Sequence, residues 1–135
     1  MSFDQSPIDE AMPFGPTLGI EFTAASPEEV RSLLAWRADL CTAGGVLHGG
    51  ALMGLADAAG GLLAFLNLPD GAAGTATIES KTNFFRAVRG GHVHGTTTVL
   101  HHGRTTIVLE TDLRDDDDRF VARVTQTQAI LGASS

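Results

Sequence analysis

Residues 49–66 carry the clearest pattern of apolar positions in the chain. Apolar side chains recur there at helical spacing, and a Pro69-Asp70-Gly71 turn follows the segment. This spacing predicts one helix with an apolar stripe along it. The helix also contains several glycines, which lower its intrinsic stability but let a neighbouring backbone come close. The stripe comprises Leu52, Leu55, Ala59, Leu62, Leu63 and Leu66.

Alternation of apolar and polar residues predicts strands on both sides of this helix. Residues 18–24 alternate clearly, whereas residues 30–37 alternate weakly and follow a segment, 26–29, that also resembles a helix cap. We favour a strand at 30–37, because it would form a hairpin with the first strand. Four further strands are expected in stretches rich in Thr, Val, Ile and Phe, at 75–86, 92–101, 105–113 and 120–131.

The resulting element order, β-β-α-β-β-β-β, predicts an α+β fold. We expect the last four strands to form an antiparallel meander, with the sheet wrapped around the helix. Small residues at Gly54, Ala58 and Gly61 would let the sheet curl tightly over the helix. Residues 1–17 are polar and rich in proline, which predicts an N-terminal arm with one short helix before a single domain at 18–135.

Composition restricts the class of protein further. The 135 residues suit one domain with a sizeable core, and a net charge of −7 argues against nonspecific binding to nucleic acid. No basic segment followed by an apolar run opens the chain, and His48, Asp57 and several glycines interrupt the apolar stretch. We therefore expect neither a signal peptide nor a membrane span. The single cysteine, Cys41, excludes an internal disulfide and suits a reduced, cytoplasmic protein.

An acid inside the apolar helix is the first candidate for chemistry. Asp57 would be costly among apolar residues unless it is paired, hydrated or used in a reaction. Gly49 and Gly50 open the helix, where free backbone N–H groups can bind an oxyanion. An acid and an oxyanion donor are two parts of an acyl-transfer site. The alternative is that Asp57 only pairs with an arginine or with a polar group of the core.

The distance between these groups predicts an oligomer. Gly50 and Asp57 share a helix face but lie seven residues apart, roughly 10 Å along the axis. One reacting group cannot touch both within a single helix. A second copy of the helix, running antiparallel in a C2 dimer, would place one chain's Asp57 near the other chain's Gly49. We expect the strand at 75–86 to form the seam, because pairing with its own copy removes an exposed edge.

Other side chains are weaker candidates. His92 and His94 lie two residues apart and so face the same side of a strand, but no third ligand occurs at a suitable spacing. We therefore expect no metal site. Phe84 and Phe85 point to opposite faces of their strand, which predicts one in the core and one in a pocket. Four consecutive aspartates at 115–118 predict a solvated hairpin tip.

Four short motifs occur together within residues 18–131. They are Gly-Val-Leu-His-Gly-Gly at 45–50, Leu55-Ala56-Asp57, Asn83-Phe84-Phe85-Arg86 and Leu100-His101-His102-Gly103-Arg104. The first, of the form G-x-x-H-G-G, and its spacing to the helix acid are the specific part. With the element order above, the chain resembles the hotdog-fold acyl-CoA thioesterases of the phenylacetic-acid-degradation type, which include 4-hydroxybenzoyl-CoA thioesterase-like proteins.

The resemblance implies roles for individual residues. Asp57 would be the catalytic carboxylate, acting as general base or as nucleophile. The Gly49 N–H would be the oxyanion donor, with His48 shaping its loop, and Thr77 would lie near the attacking water. Arg86 would contact the phosphates of coenzyme A. Further substrate contacts would come from Thr42, Gly50, Phe84 and Arg104.

Thr42 departs from the family pattern. Many relatives carry Asn or Gln six residues before the histidine of the G-x-x-H-G-G motif, where this chain has Thr42. The threonine side chain is shorter and offers a hydroxyl in place of an amide, so it could not reach the thioester in the same way.

The resemblance implies hydrolysis of an aryl- or medium-chain acyl-CoA to the carboxylic acid and free coenzyme A, without a metal or organic cofactor. It also implies a dimer or a dimer of dimers with active sites shared between subunits. A Gly-x-Ser-x-Gly elbow is missing from the sequence, so a serine hydrolase is not expected. Two alternatives stay open: a non-enzymatic acyl-CoA-binding or regulatory protein, and an acyl hydratase or dehydratase of the same fold.

Overall fold

A six-stranded antiparallel sheet packs around one long helix. The computed structural model describes residues 3–132. Between the second strand and the long helix the chain makes two short 3-10 turns, Ala38–Leu40 and Ala43–Gly45. In chain order the other elements are α1 (Ser6–Ala11), α2 (Phe14–Leu18), β1 (Glu21–Ala25), β2 (Glu29–Ala35), α3 (Gly49–Leu66), β3 (Ala72–Phe84), β4 (His92–His102), β5 (Thr106–Arg114) and β6 (Phe120–Gly132).

The long helix α3 has the bounds that its apolar pattern predicts. Half of its residues are buried, and the strands from β2 to β6 all contact it. By length and composition alone this helix is long and apolar enough to cross a membrane, a property that the core helix of a compact protein can share. Its apolar composition has a local cause, because a helix surrounded by a sheet buries most of its sides.

The small residues of α3 are used differently from the prediction. Ala58 is buried, but Gly54 lies against α2, where a Cβ would be 2.8 Å from Cδ1 of Leu18. Gly60 is the glycine that makes room for the sheet, because a Cβ there would clash with Oε1 of Gln126 in β6. The expectation that Gly54 and Gly61 accommodate the sheet was therefore wrong.

The strands follow the order β1-β2-β4-β5-β6-β3, and all neighbours are antiparallel. The predicted four-strand meander was wrong, because only β4, β5 and β6 form a meander and β3 pairs with β6. The cause is α3, which carries the chain across the sheet from β2 to the far edge. The segment 85–91 then returns across the end of the sheet.

The edge position of β3 agrees with the prediction that this strand has an open side. A bulge between Thr77 and Glu79 shifts the alternation of side chains along the strand. Before the bulge, Thr77 faces α3. After the bulge, Ser80 pairs with the buried Gln126 of β6. Ile78, at the bulge itself, is 62% exposed. A long edge strand with an exposed apolar side chain is a ready template for pairing with another chain.

The N-terminal segment contains two short helices where one was predicted. The second, α2, ends at Leu18, so the strand expected from residue 18 begins only at Glu21. Gly19 causes the difference, because its φ of 85° is the left-handed conformation that ends helices. The apolar residues of the alternating stretch 18–24 are nevertheless buried, since Leu18, Ile20 and Phe22 are each less than a tenth exposed.

Candidate active site

The N-terminus of α3 offers one free backbone donor next to the histidine. Nδ1 of His48 accepts a hydrogen bond from the N–H of Gly50 at 2.8 Å, so His48 is the N-cap. The carbonyl of His48 accepts from Ala51. Within the described residues the N–H of Gly49 has no acceptor, because an N-terminal helix amide has no partner one turn earlier. Gly49, rather than Gly50, therefore has the backbone N–H that is free to bind an acceptor.

Asp57 and Thr77, both predicted from the resemblance, lie in direct contact. The hydroxyl of Thr77 donates to Oδ1 of Asp57 at 3.1 Å, which joins the middle of α3 to the edge strand β3. No cation among the described residues pairs with Asp57, so an arginine partner was wrong, but the other form of that alternative, a polar partner from the core, is present in Gln126. Both side chains are exposed, which leaves room for a reactant.

Two buried glutamines support this pair, and the sequence analysis missed them. Nε2 of Gln126 donates to Oδ1 of Asp57 at 3.1 Å, and Nε2 of Gln128 donates to the hydroxyl of Thr77 at 2.6 Å. Thr75 in turn donates to Oε1 of Gln128. Each glutamine is 1% exposed. Because Thr77 accepts from Gln128, its own proton is directed at the carboxylate.

The arrangement leaves one carboxylate oxygen available for chemistry. Both donors to Asp57 bind Oδ1, whereas Oδ2 accepts no hydrogen bond from the described residues. A signal for the supporting glutamines existed in the sequence. Alternation in β6 places Gln126 and Gln128 on the same face as Val124 and Ala122, where apolar residues would be expected.

A cavity of about 360 Å³ at the start of α3 brings together three further predicted residues. Gly49, Phe84 and Arg86 line it, and we call it the entrance cavity. The ring of Phe84 lies so close to Gly49 that a Cβ at that position would be 3.1 Å from Cζ. Phe85 packs edge-on against Phe120, with ring centroids 5.6 Å apart. Phe84 and Phe85 are both at least half exposed, so the prediction that one of them is in the core was wrong.

Arg104 and Thr42, also predicted to contact the substrate, do not line the entrance cavity. Arg104 lies in the β4–β5 turn, two residues before Thr106, which pairs with Ala129 of β6. Arg86 lies two residues after Phe84, which pairs with Ala122 of β6. Ala122 and Ala129 are seven residues apart on β6, or about 23 Å along the strand. The two arginines of one chain therefore do not converge. Thr42 is exposed in the loop before α3, and its side chain makes no hydrogen bond with the described residues.

The amides at the start of α3 and the Asp57 carboxylate are separated along the helix, as the sequence predicts. The free N–H of Gly49 belongs to the first residue of α3, and Asp57 lies eight residues later, about 12 Å along the axis. One small reactant bound to the Asp57 carboxylate does not reach that amide in the same chain.

His92 and His94 both lie near the carboxylate of Asp116. Nε2 of His94 lies 2.7 Å from Oδ1 of Asp116, and Nδ1 of His92 lies 4.0 Å from the same oxygen. The hydrogen bond from His94 lowers the pKa of Asp116 below its usual value of 3.8, and the backbone N–H of His92 adds to this effect. Residues 3–132 contain no group of three or more residues suited to hold a metal ion.

Comparison with known proteins places this geometry in a family context. The family model of the thioesterase superfamily matches residues 44–122. The Mycobacterium tuberculosis protein Rv1847, which carries an esterase name, is 32% identical over 120 residues, covering 87% of this chain and 86% of its own. The proofreading thioesterase EntH of Cronobacter turicensis is 30% identical over 115 residues, covering 85% and 83%.

Solved structures agree with the sequence comparison. The structure of Rv1847 superposes with a TM-score of 0.87 at 31% identity, covering 92% of this chain and all of that one. A mutant thioesterase PA1618 of Pseudomonas aeruginosa superposes with a TM-score of 0.88 at 26% identity, covering 98% and 96%. The six-stranded sheet around a central helix is thus shared along nearly the whole chain.

Proposed function

The chain belongs to the thioesterase superfamily, has its hotdog fold and is a thioester hydrolase, and from this premise we propose that it hydrolyses an aryl- or medium-chain acyl-CoA to the carboxylic acid and free coenzyme A. The observation that carries the proposal is the Asp57 carboxylate. Thr77 and Gln126 hold its Oδ1, while Oδ2 is open. The reaction needs water and no metal or organic cofactor.

In the proposed reaction the substrate carbonyl lies beside Oδ2 of Asp57. As general base, Asp57 takes a proton from water while the water oxygen bonds to the thioester carbon; the C–S bond then breaks and the thiolate of coenzyme A leaves with that proton. As nucleophile, Oδ2 of Asp57 bonds to the thioester carbon, and the C–S bond breaks with release of the coenzyme A thiolate, which takes a proton from solvent; water then hydrolyses the mixed anhydride to the carboxylic acid and the free Asp57 carboxylate. In both cases an N–H donor must stabilise the oxyanion.

We propose that the oxyanion donor is Gly49 of a second copy. Two-fold pairing of β3 with its own copy would set the two α3 helices antiparallel, which compensates for the 12 Å or so between Gly49 and Asp57 in one chain. The open edge of β3 and the exposed Ile78 support this pairing. A dimer, or a dimer of dimers, would then contain two shared sites per pair.

We propose that Arg86 binds the phosphates of the substrate. Arg86 is exposed beside the entrance cavity, next to the free N–H of Gly49. It makes no ion pair with the described residues, so its charge is available to an anion. A contact remote from the reacting carbonyl acts mainly as uniform binding and changes KM more than kcat.

The test is an assay of free thiol with benzoyl-CoA, octanoyl-CoA, acetyl-CoA and crotonyl-CoA, whose enoyl absorbance is followed as well, together with octanoyl-pantetheine, which lacks the nucleotide phosphates. We expect thiol release, and a KM for octanoyl-CoA that Arg86→Ala raises about tenfold while the KM for octanoyl-pantetheine is unchanged. Arg31→Ala is the control, because this exposed arginine of β2 pairs with Glu29 and does not line the entrance cavity. Binding of acyl-CoA without thiol release would contradict the proposal, and so would loss of enoyl-CoA absorbance without thiol release.

A further inference from the structure

Gly60 is the glycine of α3 at which an added side chain would meet its neighbour most closely. A Cβ at this position would clash with Oε1 of Gln126 and would lie 2.7 Å from its Cδ and 3.1 Å from its Nε2. These three atoms are the amide that donates to Asp57. Glycine inside a helix lowers its stability relative to alanine. The helix therefore keeps a destabilising residue at the point where this amide lies against it.

The glycine and the carboxylate share one face of the helix. Gly60 lies three residues after Asp57, and residues three apart are neighbours on a helix surface. Gln126 belongs to β6 and is 1% exposed, so it approaches both residues from the sheet. Its Nε2 lies 3.1 Å from Oδ1 of Asp57, and its Oε1 lies at Gly60. One end of the amide is thus at the carboxylate and the other end is at the glycine.

Packing, and not a second hydrogen bond, holds the oxygen end of this amide. Oε1 of Gln126 is buried and has no hydrogen-bond partner among the described residues. An amide turned by half a rotation would point Oε1 at the Asp57 carboxylate, and two acceptor oxygens cannot form a hydrogen bond with each other. The space beside Gly60 therefore lets the amide take the orientation in which its N–H group faces Asp57.

An alanine at position 60 would displace the amide. Its Cβ would be 2.7 Å from Cδ of Gln126, whereas ordinary contact begins at 3.4 Å. The strands from β2 to β6 pack against α3, but the glutamine side chain can rotate, so the side chain would move and the helix would not. A hydrogen bond weakens steeply when its donor withdraws or tilts. The loss would fall on the bond from Gln126 to Asp57.

Building on the proposed function, we propose that Gly60 is a positioning residue for thioester hydrolysis. Its missing side chain makes room for the Gln126 amide, and the amide in turn holds Oδ1 of Asp57 while Oδ2 is open to the substrate. Gly60 has no side chain to offer the substrate, so it acts through Gln126. A fixed carboxylate spends more of its time in the orientation from which it reacts.

The experiment measures kcat, KM and thermal unfolding for the wild-type protein, Gly60→Ala and Gly54→Ala, on the acyl-CoA that releases thiol fastest. We expect Gly60→Ala to lower kcat about tenfold and to keep KM within about twofold, because the loss concerns the reacting carboxylate and not uniform binding. Gly54→Ala is the matched control. It adds the same methyl group to the same helix, 2.8 Å from Cδ1 of Leu18 in α2, and should keep kcat and KM.

A double variant separates an effect through Gln126 from general damage to the helix. Gln126→Ala removes the amide and should itself lower kcat about tenfold. Adding Gly60→Ala to Gln126→Ala should then cause no further loss of kcat, because two changes that act through one contact are not additive. The melting temperature should rise on this addition, since alanine favours helix and no longer meets the amide. This comparison does not require Gly60→Ala to fold by itself.

Three results would overturn the inference while leaving the proposed function standing. The first is a Gly60→Ala variant with the wild-type kcat. The second is an equal loss of kcat in Gly54→Ala and Gly60→Ala. The third is a double variant whose kcat falls about tenfold below that of Gln126→Ala, since Gly60 would then act without the amide. Absence of thiol release from every acyl-CoA by the wild-type protein would overturn the proposed substrate class, and this inference with it.

Discussion

At the scale of single residues, the proposed chemistry depends on how one carboxylate is held. Asp57 is exposed, yet two donors fix its Oδ1 and leave Oδ2 open. A carboxylate free to rotate would spend little time in a productive orientation, so fixed donors contribute by positioning. The first two predictions test the reacting group and one of its supports separately.

We predict that Asp57→Asn folds normally and loses at least about 100-fold in kcat, because an amide cannot act as base or nucleophile. The asparagine oxygen can still accept from Thr77 and Gln126, which preserves the local structure. Thiol release and thermal unfolding are the two measurements. Turnover near the wild-type level would exclude Asp57 as the reacting carboxylate.

We predict that Gln126→Met lowers kcat about tenfold with KM unchanged, because it removes a donor that orients Asp57. Stability should be kept, since Oε1 of Gln126 is buried without a hydrogen-bond partner and is removed by the same change. Gln128→Met is the control: both ends of its amide are bonded, so this variant should lose about 1–3 kcal/mol of unfolding free energy. If Gln126→Met and Gln128→Met lower kcat equally and lose equal unfolding free energy, Gln126 has only a structural role.

At the scale of elements, the N-terminus of α3 determines which amide is available. His48 uses the N–H of Gly50 and thereby leaves the N–H of Gly49 as the free donor. Gly50 must lack a side chain for this contact, because a Cβ would be 2.9 Å from Nδ1 of His48. The G-x-x-H-G-G motif thus has a structural reason for both glycines in this chain: Gly49 leaves room for the Phe84 ring, and Gly50 leaves room for the His48 cap.

We predict that His48→Ala lowers the unfolding free energy by about 0.5–2 kcal/mol, the usual loss for an N-cap. His48→Asn should lose much less, because asparagine is a good N-cap acceptor. Urea unfolding followed by circular dichroism measures both variants. If alanine and asparagine cost the same, the Gly50 contact does not stabilise the helix.

A second element-scale prediction concerns pH. Asp116 joins the start of β4 to the β5–β6 turn through His94, and this bond lowers the carboxyl pKa. At pH values above the ordinary pKa of 3.8, the lowered pKa of Asp116 stabilises the folded protein relative to the unfolded chain. This stabilisation is lost as the pH falls through the lowered pKa of the folded state. Melting temperatures of the wild type and Asp116→Asn should therefore differ near neutral pH and converge in acid. A gap that widens on acidification would contradict this assignment.

At the scale of the whole molecule, the sheet has one long open edge, and the groups proposed to act together lie apart. Gly49 and Asp57 are separated along α3, and Arg86 and Arg104 lie at opposite ends of the sheet. A two-fold axis at the β3 edge inverts the direction of the second chain and brings opposite ends together. The proposed dimer would thus bring each of these separated pairs together across its two-fold axis.

We predict that mixing two inactive variants, Asp57→Asn and Gly49→Pro, restores about a quarter of wild-type activity after subunit exchange. In a mixed dimer with shared sites both lesions fall in one site and the other site is intact, and random pairing makes about half the dimers mixed. Thiol release after exchange and light scattering measure the result. Recovery that fails despite proven exchange would refute the shared site.

The matched control for proline is Gly49→Ala. Proline suits the first position of a helix but removes the N–H, whereas alanine adds the same Cβ near Phe84 and keeps the N–H. Activity retained in Gly49→Ala and lost in Gly49→Pro attributes the effect to the amide. Equal losses would attribute it to displacement of the Phe84 ring.

The sequence by itself determined the elements and the reacting residue types. The bounds of α3 were predicted well because its apolar stripe, entry glycines and closing turn all act within a few residues of the chain. Asp57 and Gly49 stood out for the same local reason, an acid and a glycine pair in an apolar helix. The strands were predicted to within a few residues by their alternation, with α2 replacing the start of the first.

Only the tertiary structure decided which strands pair and which distant side chains meet. The crossover of β3 to β6 depends on where α3 delivers the chain, and local alternation carries no information about that path. The contacts of Thr77 and Gln126 with Asp57 join residues 20 and 69 positions apart.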